Sequence, residues 1–150
     1  MAKRMQMNDQ ITVGPQPTAA EIESLPKDGF QSVINFRTAG EEDQPFSPEE
    51  ERDRVEAVGM NYLHVPVSMD AMDSRKVDDF REKFKAIPKP LYAHCKTGKR
   101  AGAMVMMHTA SEQGMTGEEA LQAAEEMGFE CDVPELKQFV KSYVDQHANT

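Results

Sequence analysis

Short apolar runs alternate with amphipathic stretches along the chain. Runs rich in Val, Ile, Leu, Phe and Tyr predict strands at residues 11–14, 31–37, 60–67 and 90–94. Because Pro15 and Pro17 follow directly on the first run, we predict that it is an edge strand. Residues 1–10 have no apolar run and are expected to form a flexible N-terminal segment.

Helices are predicted between these strands from their capping residues. Thr18 and Glu21 have the spacing of a capping box, and Ser47 followed by Pro48 marks another helix start. Further helices are expected to begin near Ser74, Ala101, Thr116 and Asp132. Strands that alternate with helices need crossover connections, so we predict a single domain of the α/β class over residues 1–150. Its central sheet is expected to be mostly parallel, with four to five strands flanked by helices.

The charge balance narrows the classes of partner. The 150 residues include 17 Lys and Arg against 26 Asp and Glu, a net charge of −9, which argues against a broad nucleic-acid surface. Positive charge is instead local, at Lys96, Lys99 and Arg100. No window approaches the roughly eighteen apolar residues of a membrane span, and no secretory signal is expected. Two cysteines suggest reduced thiols and therefore a cytoplasmic protein.

The residues between the last predicted strand and the next helix carry the candidate chemistry. A loop that leads from a strand into a helix points backbone N–H groups at one place, where the helix dipole adds positive potential and anions bind. Cys95 opens this loop, so the field favours its thiolate, a nucleophile for an anionic electrophile. Gly98 permits the turn, and Arg100 can hold two oxygens of a bound group. A simpler interpretation is that Cys95 only packs and that the basic residues are solvated.

The loop resembles a known catalytic signature. His94-Cys95-Lys-Thr-Gly98-Lys-Arg100 is similar to the pattern of the cysteine-dependent tyrosine and dual-specificity phosphatases, in which His-Cys is followed by five residues and Arg. The placement of the two lysines resembles in particular the loop of the 3-phosphoinositide lipid phosphatase. This resemblance implies a tyrosine-phosphatase-like fold and hydrolysis of phosphomonoesters through a phosphocysteine intermediate, without metal.

A second resemblance covers about residues 11 to 145. Residues 14–18, 29–37 and 62–67, together with Glu41, resemble the bacterial phosphatase-like domain family DUF442, which also occurs fused to metallo-β-lactamase-like hydrolases. The chain is therefore expected to be a phosphatase-like domain of this kind.

Two departures from the phosphatase pattern keep other functions open. Only four residues separate Cys95 from Arg100, as in rhodanese-like sulfurtransferases, so a Cys95 persulfide that carries sulfane sulfur is an alternative. Ala101 stands where phosphatases usually have a hydroxyl that stabilises the departing thiolate. The missing hydroxyl predicts slow hydrolysis of the phosphocysteine unless the Thr97 hydroxyl substitutes for it. A catalytically weak phosphate-binding module is therefore a second alternative.

The phosphatase resemblance also implies roles for residues outside the loop. A proton donor is needed on a mobile loop after a strand, where Asp70 and Asp73 lie; we favour Asp70, although either can instead begin the next helix. His94 is expected to support the loop or to be a satisfied core histidine. Arg37 and Glu41 form either an ion pair that braces the site or a surface pair of little energetic value.

The binding residues define the expected substrate. Phosphate is expected to contact Lys96, Thr97, Gly98, Lys99 and Arg100. The two lysines favour multiply anionic substrates, whether a small molecule, a lipid headgroup or a phosphoprotein. No metal or cofactor is expected, because the four histidines show no ligand spacing with Cys or carboxylates. Cys131 can resolve an oxidised Cys95, or it serves only in packing.

Overall fold

A computed structural model describes residues 4–41, 44–68, 73–96, 98–126 and 134–147. The strands of this part of the chain are β1 (Met5–Asn8), β2 (Ile11–Gly14), β3 (Ser32–Asn35), β4 (Asn61–His64) and β5 (Leu91–His94). The helices are α1 (Ala19–Ser24), α2 (Pro48–Ala57), α3 (Ser74–Ala86), α4 (Lys99–Glu112), α5 (Gly117–Glu126) and α6 (Pro134–His147). A 3-10 helix, Leu25–Asp28, directly continues α1.

The strands form one sheet in the order β1-β2-β5-β3-β4. β2, β5, β3 and β4 are parallel, while β1 is antiparallel to β2. The predicted α/β class, with a mostly parallel sheet of four to five strands flanked by helices, is therefore confirmed. Because the four parallel strands run in the same direction, the segments that follow them meet at one end of the sheet.

The N-terminal part of the sheet differs from the expectation. Residues 5–8, from the segment expected to be flexible, form the edge strand β1, and Ile11–Gly14 lies inside the sheet between β1 and β5. The edge prediction for residues 11–14 is therefore wrong. Met5 and Met7 alternate with polar residues and pack against the core, which anchors β1. The two prolines lie beyond β2, so they remove none of its ladder hydrogen bonds.

Successive side chains of the inner strands face opposite layers of helices. Val33 and Tyr92 pack in a cluster with residues of α1 and α2, whereas Ile34 and Ala93 pack in the larger cluster with residues of α3 to α6. His94 follows Tyr92 by two positions, and the same alternation directs it towards α2. The strand period therefore decides what the last residue of β5 contacts.

Local signals at the helix starts largely match the structure. The hydroxyls of Thr18, Ser47 and Thr116 each accept the N–H of the residue three positions later at 3.1 Å. α3 differs, because its N-cap is Asp73 rather than Ser74 and the Asp73 carboxylate accepts the N–H of Lys76 at 2.9 Å. None of the helices in the described ranges is long and apolar enough to cross a membrane.

Candidate active site

The loop that starts at Cys95 is fixed against the end of β2. Its Gly98 is the N-cap of α4 and has a φ of +106°, in the left-handed region that L side chains rarely adopt. A Cβ at Gly98 would meet the backbone of Gly14 at 3.6 Å, and the N–H of Gln16 donates to the carbonyl of Lys96 at 3.3 Å. The turn and the segment after β2 thus fix the loop together.

Cys95 lies at the junction of β5 and α4. It is 1% exposed, and its Sγ accepts the backbone N–H of Gly98 at 3.1 Å. Gly98 caps a helix of 14 residues, so the sulfur lies where the helix dipole is positive. Packing alone would not require an amide that points at the sulfur. The hydrogen bond gives the sulfur a polar contact of the kind that a thiolate needs.

Arg100 extends from the first turn of α4 to Glu41. Its Nη1 donates to Glu41 Oε2 at 2.7 Å and its Nη2 to Glu41 Oε1 at 2.8 Å, while Nη1 also donates to the carbonyl of Val67 at 2.9 Å. The hydrogen bond with Glu41 raises the pKa of Arg100 against the effect of burial, and the charge of the nearby Cys95 raises it further. The guanidinium is thus held in one orientation beside the thiol.

Glu41 connects a second arginine to the first. Arg37 is fully buried, and its Nε donates to Glu41 Oε1 at 3.0 Å. The N–H and the hydroxyl of Thr38 donate to Glu41 Oε2 at 2.6 and 3.0 Å. The Arg100 hydrogen bond holds the pKa of Glu41 far below its usual range, although burial opposes this effect. The interpretation of Arg37 and Glu41 as a surface pair is therefore wrong; the pair is internal and braces Arg100.

His94 is fully buried behind Cys95 and contacts a carboxylate that the sequence analysis missed. Its Nε2 lies 2.6 Å from Glu51 Oε2, and its Nδ1 lies 3.3 Å from the carbonyl oxygen of Cys95. Gln16 Nε2 donates to the other Glu51 oxygen at 2.7 Å, and Gln16 Oε1 accepts from Arg37 Nη1 at 3.0 Å. These contacts connect His94 with the Arg37–Glu41–Arg100 group.

Glu51 is 1% exposed although it lies on the charged helix α2. Burial opposes its ionisation, but hydrogen bonds from His94, Gln16 and Tyr62 outweigh burial and lower the pKa of Glu51. One sequence signal could have found it. Glu51 precedes the buried Val55 by four positions, so both lie on the same inward face of α2.

The other predicted site residues have different surroundings. Asp73 caps α3, which agrees with its interpretation as a helix start, while Lys96 is exposed and Lys99 is half-buried at the start of α4. Asp70, Thr97 and Cys131 lie outside the described residues. In the described ranges, no group of three or more His, Cys, Asp or Glu side chains is arranged to hold a metal ion.

Comparison with known proteins identifies the family of the chain. Residues 4–112 match the family model of the "Beta-lactamase hydrolase-like protein, phosphatase-like domain", so α5 and α6 lie beyond the match. The Beta-lactamase hydrolase-like protein of Agrobacterium fabrum is 33% identical over 108 residues, which are 72% of this chain and 25% of that protein. The chain thus spans about a quarter of the length of this relative.

Solved structures share the fold. A putative phosphatase (DUF442) from Shewanella putrefaciens has a TM-score of 0.80 and 18% identity, over 98% of this chain and 94% of that chain. A variant of P. aeruginosa TpbA in complex with pTyr has a TM-score of 0.74 and 18% identity, over 98% of this chain and 90% of that one. With the family match over most of its length, the chain belongs to the phosphatase-like domain family of the beta-lactamase hydrolase-like proteins.

Proposed function

We propose that the chain is a cysteine-dependent phosphatase that hydrolyses phosphomonoesters through a phosphocysteine intermediate. The observation that carries this proposal is the Cys95 sulfur, which accepts the N–H of Gly98 at the start of α4 beside the guanidinium of Arg100. The family membership supports the same reaction class. The tyrosine or dual-specificity subtype is part of the proposal.

In the first proposed step, the Cys95 thiolate attacks phosphorus while the bond from phosphorus to the leaving oxygen breaks. The backbone N–H groups of the loop and Arg100 hold the phosphoryl oxygens, and Asp70 gives its proton to the leaving oxygen. The Asp70 carboxylate then takes a proton from a water, which attacks phosphorus while the phosphorus–sulfur bond breaks, and phosphate and the thiolate are released. Ala101 offers no hydroxyl to that thiolate, so the hydrogen bond from the Gly98 N–H is one of the contacts left to stabilise it.

The proposal is tested with p-nitrophenyl phosphate and, separately, with thiosulfate plus cyanide. The wild type is expected to release p-nitrophenol, Cys95→Ser is expected to be inactive, and Cys131→Ser in reducing buffer controls for the loss of a thiol. Mass spectrometry after acid quenching should find one phosphoryl group on the peptide that contains Cys95. Thiocyanate without phosphate release would instead identify a rhodanese-like sulfurtransferase. Inactivity in both assays would indicate a weak phosphate-binding module.

The proton donor is tested by a matched pair of substitutions. Asp70→Asn is expected to lower kcat about a hundredfold for alkyl phosphates and less for p-nitrophenyl phosphate, whose leaving group needs little protonation. Asp73→Asn keeps the cap of α3, because Asn caps helices as well as Asp does, and it should leave both rates nearly unchanged. The opposite ranking would move the role to Asp73.

The proposed substrate is multiply anionic, because Lys96 and Lys99 flank the loop with positive charge. A small molecule, a lipid headgroup or a phosphoprotein meets this description, and the TpbA neighbour is in complex with pTyr. Exchange of both lysines for Ala should weaken binding of inositol phosphates more than that of p-nitrophenyl phosphate. Exchange of Lys83 and Lys137 for Ala, two exposed lysines on α3 and α6, is the charge-matched control. Equal losses for both substrates would reject this preference.

A further inference from the structure

The charge state of His94 follows from what surrounds it. Both ring nitrogens of this buried side chain face oxygen atoms, Glu51 Oε2 at 2.6 Å and the Cys95 carbonyl at 3.3 Å. A carbonyl oxygen and an ionised carboxylate only accept hydrogen bonds, and a neutral imidazole carries only one N–H. Both contacts are therefore satisfied only when both ring nitrogens carry a proton.

The contacts of Glu51 favour the ionised carboxylate. Gln16 Nε2 donates to Oε1 at 2.7 Å, and the Tyr62 hydroxyl also bonds the carboxylate. That hydroxyl already accepts from Asn35 Nδ2 at 2.9 Å, so its proton is directed to Glu51. A protonated Glu51 would carry a hydrogen on one of its two oxygens. That oxygen would then face one of these donors, or the N–H of His94, with a hydrogen on both sides of the contact.

The pair is one end of a continuous chain of hydrogen bonds. From His94 it runs through Glu51, Gln16, Arg37 and Glu41 to Arg100, and the links measure 2.6, 2.7, 3.0, 3.0 and 2.7 Å. Its two ends are the residue before the nucleophile and the arginine at the other end of the loop. The Gln16 side chain is oriented by two hydrogen bonds, because its amide nitrogen donates to Glu51 and its oxygen accepts from Arg37.

We propose that Glu51 is a positioning residue that holds His94 as an imidazolium behind Cys95, and that Gln16 joins this pair to the Arg37–Glu41–Arg100 group. The role rests on the proposed function, since it serves a nucleophilic Cys95. An imidazolium adjacent to the nucleophile favours the thiolate, and its carboxylate partner keeps this charge in place within the buried interior. Glu51 touches neither substrate nor sulfur and acts only through His94 and Gln16.

Other charged or titratable groups also face the pair. They are Tyr62 on β4, Arg52 over the Tyr62 ring at 5.4 Å, Tyr92 stacked on His94 at 6.2 Å, Cys95, and Arg37 beyond Gln16. Both tyrosines stay neutral around pH 7, because burial raises the pKa of each. The two arginines stay charged. Neither the tyrosines nor the arginines therefore change charge in the test described below.

The test is Glu51→Gln, with Glu49→Gln on the exposed side of the same helix as the matched control. Without the carboxylate, His94 loses the stabilisation of its charge. The midpoint of Cys95 alkylation by iodoacetamide should then move upward by about one pH unit or more. The acid limb of the pH profile of kcat/KM should move upward by a similar amount, while KM stays nearly constant. A double-mutant cycle with His94→Gln should show that the second substitution adds little in the Glu51→Gln background.

Two readouts keep the proposal separate from the proposed function. Nitrogen-15 NMR of histidine-labelled wild type, assigned with His94→Gln, should find both ring nitrogens of His94 protonated at pH 7. A neutral ring, or an unmoved alkylation midpoint in Glu51→Gln, would overturn the role of Glu51 even if the wild type is a phosphatase. If these readouts hold and no phosphate ester is hydrolysed, the proposed function fails and the positioning pair stands. The NMR measurement needs no Glu51 variant, so it decides even if Glu51→Gln does not fold.

Discussion

Two buried histidines on opposite sides of the sheet have partners of opposite kind. His94 faces two acceptors, the Glu51 carboxylate and the Cys95 carbonyl. His108 on α4 instead accepts at Nδ1, 3.3 Å from the Nε of Arg81, which can only donate. We propose a proton on each ring nitrogen of His94, whereas the contact of His108 with Arg81 requires an unprotonated Nδ1. The two rings thus differ in whether their neighbours accept or donate hydrogen bonds.

The carboxylates near the two histidines also differ, because one is exposed and the other is buried. The Arg81 group joins α3, α4 and α6, because Arg81 also donates to Tyr143 and Glu112, both at 3.2 Å. Its carboxylate Glu112 is 49% exposed in the side chain, whereas Glu51 is almost fully buried. Burial and the positive charge of Arg81 lower the pKa of His108 to about 4. We interpret the Arg81 group as a connection between helices and the Glu51 group as support for the loop.

The largest contrast is expected between Glu41→Gln and Glu112→Gln. Glu41→Gln leaves two guanidinium groups without their shared counter-charge, so the free energy of unfolding should fall by about 2 kcal/mol. kcat/KM should fall about a hundredfold, because Arg100 loses its orientation. Glu112→Gln removes an exposed partner and should cost under about 1 kcal/mol, with unchanged activity. Urea unfolding and steady-state kinetics measure both effects, and equal effects would contradict the contrast.

A smaller effect is expected from the titration of His108. Its pKa is about 4 in the folded protein, and about 6.5 is usual in an unfolded chain, so the unfolded state binds the proton first as the pH falls. The stability that the neutral ring confers is complete above about pH 6.5 and is lost progressively towards pH 4. Between pH 7 and 5 the loss should be on the order of 1 kcal/mol.

The matched variant is His108→Gln, which retains an acceptor for Arg81 and does not titrate. Urea unfolding at pH 7 and at pH 5 should show a smaller difference for this variant than for the wild type. Glu41 and Glu51 do not confuse the comparison, because a carboxylate with a lowered pKa withdraws its stabilisation only below its ordinary value of about 4.3. An equal loss in both proteins would show that folding does not change the pKa of His108.

The smallest effects are expected from two tyrosines. Tyr62→Phe removes one hydrogen bond from Glu51 and should shift the midpoint of Cys95 alkylation slightly upward. Tyr143→Phe removes contacts with Arg81 at 3.2 Å and with Asp78 at 2.6 Å. It should cost about 1 kcal/mol of stability and leave the alkylation profile unchanged. A shift with Tyr143→Phe would mean that the two groups are coupled through α4.

Much of the fold was predictable, because its signals are local. Thr18, Ser47 and Thr116 cap helices through residues only three positions away, and the apolar runs specify buried strands. β1 was missed because its two methionines are a weak pattern that becomes decisive only where β2 offers a partner. Asp73 was ambiguous for a related reason, since an aspartate at a helix start and one in a catalytic loop look alike until its Lys76 contact is known.

The sequence by itself determined which reactive groups the loop carries. Cys95, Gly98 and Arg100 are close together in the chain, and a strand-to-helix turn brings the Gly98 N–H to the sulfur three positions away. Only the tertiary structure decided what surrounds the loop. Glu51 is 43 positions from His94, and Glu41 is 59 positions from Arg100. These carboxylates meet their partners because parallel strands bring distant segments to one end of the sheet, and their low exposure makes each contact strong.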